Sequence, residues 1–259
     1  MKSHPIERHL QVAVVGLALA AGLLAACDDE KKPASPDAGV AVTSSAPAPP
    51  PPPATPRMPE VTLTERSVQV GIDELQLQVP SFDTAFREML KKYPVDTPDL
   101  VVFNVDRKVP TPLATKLTYV LFDAGAKSIE VRTRPRGSFP DRLRLTSDKQ
   151  VGKVLPCTFA GTITENLGVA FWPIQGGTAK RYTKGMAGPD LSAMHEVFQK
   201  EEAGCGSTVF FFSADDTVEW GHAYDLATSV IAHEPKYKID KVVLLRSAPA
   251  AGKPLKAGG

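Results

Sequence analysis

The chain has 259 residues, a formal net charge of +1, 42% hydrophobic residues and three cysteines. Near-neutral charge, with no basic stretch interleaved with aromatics, argues against nucleic acid as a partner. Neither a CxxC nor a Cys/His spacing is present, so no metal site is expected, and Gly176-Gly177 lacks the strand-and-helix setting of a phosphate loop.

Residues 1–26 read as an export signal: Lys2 and Arg8 open it, and an uncharged run follows from Leu10 to Ala26. Leu24-Ala25-Ala26-Cys27 resembles the lipobox of bacterial lipoproteins, and that resemblance implies lipidation of Cys27 as the mature N-terminus. The rival reading is an uncleaved transmembrane helix; 17 residues sit at the lower limit of a bilayer span. The expected location is the bacterial cell envelope, facing the periplasm as a membrane-anchored lipoprotein. Residues 27–60 form the anchor and a linker in which Pro49–Pro53 are consecutive. Few large apolar residues there can offset ordering entropy, so an extended spacer reaching about 100 Å is expected.

From Val61 to Val79 apolar residues alternate with polar ones, the signature of half-buried strands. Phe82, Phe86, Met89, Leu90 and Tyr93 mark one face of a helix that Ser81 caps and Pro94 ends. Leu100–Val105 is a continuous apolar strand, and Asp106 lies in the loop behind it. Thr111-Pro112 opens a second helix, Thr111 as its cap and Pro112 at the first helical position, with Leu113, Leu117, Val120 and Leu121 on its inner face. Gly125 closes it, and 129–133 is a last strand.

The same plan returns after a connector at 137–157. Strands are expected at 159–164, 169–174 and 179–182, and a helix follows Pro189-Asp190. Val209–Phe212 forms the next strand, a helix carries Ala223, Leu226, Ala227 and Val230, and 242–245 is the last strand. Asp106 and Asp215 lie 109 positions apart, as do Ser81 and Asp190. A unit copied once constrains the whole architecture. The expected fold is therefore α+β: two tandem lobes, 61–136 and 158–249, each a small mixed sheet with two helices on one face. A disordered tail is expected at 250–259.

Both copies carry a strand ending in an aspartate, a valine three residues on, then a helix and a β-branched strand. The first reads LVVFNVDRKVPTPLATKLTYVLFDAGAKSIEV and the second VFFFSADDTVEWGHAYDLATSVIAHEPKYKIDKVVLL. These motifs resemble the extracytoplasmic domain of ExbD/TolR-type biopolymer transport proteins. The resemblance implies a non-enzymatic protein that binds an envelope protein or peptidoglycan, with no cofactor. It also implies a family dimer fused into one chain, the lobes pairing with each other. The family's membrane-embedded aspartate has no counterpart between Leu10 and Ala26, so proton coupling does not carry over. A transporter subunit with an uncleaved helix is one alternative.

Asp106 and Asp215 are read as repeat-equivalent loop carboxylates that bind backbone amides. Asp215, Asp216, Glu219 and His222 also cluster near a strand-to-helix junction, and Asp215 with His222 supplies the second alternative, a hydrolase. Cys157 and Cys205, left after lipidation of Cys27, are a candidate disulfide in an oxidising compartment.

Overall fold

The computed structural model describes residues 58–93, 100–182, 185, 188–202, 204–232 and 238–255. The signal, Cys27, most of the linker and Pro94 lie outside them. In chain order the strands are β1 (Val61–Leu63), β2 (Ser67–Val70), β3 (Asp73–Gln76), β4 (Leu100–Val105), β5 (Ser128–Arg132), β6 (Arg142–Thr146), β7 (Phe159–Ile163), β8 (Val169–Pro173), β9 (Lys180–Tyr182), β10 (Val209–Ala214) and β11 (Lys241–Leu244). The helices are α1 (Phe82–Lys91), α2 (Thr111–Asp123), α3 (Leu191–Glu202) and α4 (Trp220–Ile231).

The expectation of two lobes with separate small sheets is overturned. All eleven strands form one mixed sheet, ordered β3-β2-β1-β4-β5-β6-β11-β10-β7-β8-β9. The strand that joins the halves is β6, inside the expected connector. It pairs antiparallel with β5 and parallel with β11 through Val242 and Leu145. Its sequence, Arg-Leu-Arg-Leu-Thr, alternates as a half-buried strand should: Leu143 and Leu145 are buried while Arg142 and Arg144 are exposed. A sheet edge carries unpaired amides and carbonyls. One short strand therefore suffices to fuse two edges into a continuous ladder.

Within the single sheet the two halves share one local wiring. Strand β1 pairs antiparallel with β2 and parallel with β4, and β7 does the same with β8 and β10. Val61 and Leu63 face Phe103 and Val105, where Gly161 and Ile163 face Phe212 and Ala214. The central strands β4 and β10 each pair parallel with the strand after the following helix.

One core lies between the helices and one face of the sheet. It takes Phe86, Met89 and Leu90 from α1, Leu117 and Leu121 from α2, Phe198 from α3, and Trp220, Tyr224 and Leu226 from α4. Each large apolar side chain buried there contributes about 1.5–3 kcal/mol. On the opposite face, among the described residues, only the second half is covered. Val151 and Val154 of the 148–157 segment and Leu255 near the C-terminus pack there on Phe211, Trp172 and Val243. Hence β10 is buried along its whole length, whereas β4 is buried only at alternate residues.

Three local expectations are corrected. Ser81 precedes α1 in a left-handed conformation, φ 61°, and makes no side-chain capping bond. Thr111 is the first residue of α2 rather than its cap, and its hydroxyl is used across the molecule instead. Ala250–Leu255 is not a detached tail: Leu255 N–H donates to Ile174 O at 2.9 Å and Gly252 N–H to Gly177 O at 3.0 Å.

Candidate functional site

The duplicated loops after β4 and β10 meet each other, and this junction is where the candidate residues converge. Each loop leaves its strand in the same way. Asp106 N–H donates to Leu63 O at 2.9 Å, and Asp215 N–H donates to Ile163 O at 2.9 Å. Val109 N–H then donates to Asp106 O, and Val218 N–H to Asp215 O, closing two matching tight turns at 3.2 and 3.0 Å. The carboxylates serve local amides. Asp106 Oδ1 accepts from Lys108 N–H at 3.0 Å, and Asp215 Oδ2 accepts from Glu165 N–H at 2.8 Å.

Across the junction the loops form a short antiparallel bridge, Pro110 opposite Glu219. Thr111 N–H donates to Val218 O at 3.0 Å, and the Thr111 hydroxyl donates to the same carbonyl at 2.7 Å. Gly221 N–H donates to Arg107 O at 2.8 Å. Arg107 then clamps α4: its guanidinium donates to both carboxylate oxygens of Asp225, at 2.9 and 2.6 Å, and to Arg134 O at 2.8 Å. Asp225 is almost fully buried, with 2% of its side chain exposed. The bond to Asp225, against some desolvation, raises the Arg107 pKa and keeps it charged. Bidentate geometry of this kind is the strong form of an ion pair.

The clamp is one-sided. Counting 109 residues on, Arg107 corresponds to Asp216 and Asp225 to Lys116, so the signs are exchanged. Lys116 pairs instead with Asp83 at 2.6 Å. Trp220 corresponds to Thr111. The indole fills its side of the junction, fully buried, with Nε1–H donating to Thr133 Oγ1 at 2.9 Å. On the other side the smaller Thr111 borders a cleft of about 330 Å³, also lined by Arg87, Tyr119, Asp216 and Arg246. There Arg246 lies 3.7 Å from the Tyr119 ring centroid, and the Tyr119 hydroxyl donates to Leu244 O. Burial pushes the Tyr119 pKa up, which keeps the phenol protonated as that donor.

A second, shallower cleft of about 710 Å³ opens at the C-terminal ends of β1, β4 and β5. Lys108, Arg132, Arg134 and Asp141 border it. In the sequence this group is inconspicuous, because its cations are scattered among β-branched and turn residues rather than forming a run. The alternation that places Arg132, Arg142 and Arg144 on one sheet face was available in the residues themselves.

The four acid and imidazole candidates do not form one catalytic set. Asp215 is turned to the Glu165 amide, while the charges acting on His222 are those of Asp225, Glu219, Arg107 and Arg136. Among the described residues buried His222 Nδ1 has no hydrogen-bond partner, and burial lowers the imidazole pKa. Among the described residues no group of three or more His, Cys, Asp or Glu side chains could hold a metal ion. Cys157 and Cys205 are joined as a disulfide, with Cα atoms 5.5 Å apart. It ties the segment covering the second half's outer face to the loop after α3. Arg107 and Asp225 went unnoticed in the sequence, since 118 residues separate them.

No family model matches the chain, and no characterised protein or solved structure matches it. Among the described residues no helix is long and apolar enough to cross a membrane.

Proposed function

We propose that this chain is a non-enzymatic cell-envelope protein, anchored through lipid on Cys27, that binds a partner protein or cell-wall polymer. Its relationship would be to the ExbD/TolR-type biopolymer transport proteins. The observation that carries the reading is how the duplicated loops use their polar groups. Asp106 and Asp215 are bound to backbone amides, and Arg107 and Asp225 to each other. The two aspartates fix their own loops and the Arg107–Asp225 pair holds the halves together, which are structural uses of these groups rather than catalytic ones. Recognition then falls to the surface. The sheet ends in two short strands, β3 and β9, and a partner can extend a sheet at such an edge.

The test is photo-crosslinking in cells from positions 74 and 181, on the two edge strands, followed by identification of what is captured. A discrete envelope partner at either edge supports the reading. Capture equal to that from position 153, on the exposed surface away from both edges, overturns it. Mass spectrometry of the N-terminus separates the anchored form from a retained membrane helix: a diacylglyceryl group on Cys27 identifies the former.

A further inference from the structure

We infer that the uncovered face of the first half is a docking surface for the phosphate headgroups of an anionic membrane. The inference rests on the anchored reading above for its geometry. Its first support is the unequal fate of the two sheet faces. In the second half the chain covers the face itself, with Val151, Val154 and Leu255. Among the described residues the same face of the first half is uncovered, and its strands and adjoining loops carry Lys108, Arg132, Arg134, Arg142 and Arg144 against Glu60, Asp106, Glu130 and Asp141. Strand register sets Arg132 opposite Arg142 and Glu130 opposite Arg144.

Like charges directly opposite one another weaken a strand pair. Here Glu130 and Glu60 answer Arg132, at 2.7 and 2.9 Å. Arg142 has only an outlying contact to Asp141 at 4.0 Å. Lys108, Arg134 and Arg144 are exposed and have no ion pair among the described residues. Strand pairing matches Arg132 to Leu245 and so Arg134 to Ser247, and the loop offset matches Lys108 to Thr217. At these three places the first half is basic where the second is neutral.

A membrane fits this surface better than an acidic peptide for two reasons. The cations spread over two strands and the adjoining loops, so the charge is distributed across the sheet beside an open cleft rather than gathered in a peptide-sized groove. The chain also enters the fold on this face: Glu60, directly before β1, bonds Asn104 and Arg132 there. The tether before β1 therefore starts beside this face and leaves it within reach of a membrane. Arginine donors suit phosphate oxygens, and an anionic bilayer attracts each nearby cation.

The test places the full chain, as purified from cells, in vesicles of phosphatidylcholine alone or mixed with phosphatidylglycerol. Phenylglyoxal labelling mapped by mass spectrometry then reads the accessibility of each arginine. Arg142 and Arg144 should be protected roughly fivefold by phosphatidylglycerol, an effect that salt removes, while Arg181 on the far edge strand β9 stays unchanged. The double variant Arg142→Glu/Arg144→Glu changes only exposed side chains. It should fold and lose the protection at Arg134. Equal labelling in both vesicles overturns the inference, and so does protection by soluble polyglutamate without protection by phosphatidylglycerol, which would assign the face to an acidic protein. An unlipidated Cys27 with protection intact would sink the anchor alone; a lipidated Cys27 without protection would sink the docking face alone.

Discussion

Thr111 and Trp220 occupy the same position in the two halves, and each donates its backbone amide to the other half's loop valine. The Thr111 amide bonds Val218 O at 3.0 Å, and the Trp220 amide bonds Val109 O at 2.7 Å. The exchange is reciprocal, as at an interface between two copies related by a two-fold axis. Here both copies belong to one chain.

The Arg107–Asp225 clamp should dominate the energetics of that junction. Removing one member of a buried pair typically costs about 3–5 kcal/mol, because the other charge is left unpaired. Arg107 keeps 25% of its side chain exposed, so Arg107→Ala is expected to cost nearer 2–3 kcal/mol. Urea denaturation checks this. The double variant with Asp225→Ala should lose less than the sum of the two singles, which a double-mutant cycle will show.

Side-chain volume has been exchanged between the halves beside the central strands. Gly161 stands where the first half has Val61, and Phe210 where it has Val101. A Cβ on Gly161 would lie 3.0 Å from Phe210 Cζ and 3.3 Å from Leu226 Cδ2. Gly161→Val should cost about 1–3 kcal/mol by overpacking. Adding Phe210→Val should recover part of that loss, as read from thermal unfolding.

The disulfide between Cys157 and Cys205 closes a loop over 48 positions. Cross-links of this kind contribute about 2–4 kcal/mol, chiefly by restricting the unfolded chain. Cys157→Ala/Cys205→Ala should therefore unfold at lower denaturant, and reductant should have no further effect on it. Protection of Val209 and Phe211 amides from hydrogen exchange should fall first, because the covering segment is released.

His222 makes stability depend on pH with a defined sign. Its folded pKa lies below the ordinary imidazole value of 6.5, chiefly through burial. The contribution is fully present above 6.5 and is lost as pH falls through that value toward the lower folded pKa, because the unfolded chain binds the proton more readily. Denaturation midpoints between about pH 5 and 8 should fall on acidification in the natural chain. His222→Phe should flatten that slope; an unchanged slope would assign it to other groups.

Several elements were legible because their signal is local. The apolar spacing at Phe86, Met89 and Leu90 places α1, the alternation at Val68 and Val70 places β2, and the matching aspartates mark the duplicated loops. Each is set by periodicity or by turn chemistry a few residues long. The same signals could not show that Arg142–Thr146 would bond to both halves, since β11, unlike its neighbour β5, lies far along the chain. That omission produced the expectation of two separate lobes.

The sequence by itself determined where most strands and helices lie and that one unit occurs twice, because backbone preference and apolar spacing act over short distances. Only the tertiary structure decided that the copies share one sheet, that Arg107 reaches Asp225, and which sheet face stays open. Those outcomes depend on which edges and charges meet after collapse, and pairing over such distances, as between Leu145 and Val242 or Arg107 and Asp225, leaves no trace in local pattern.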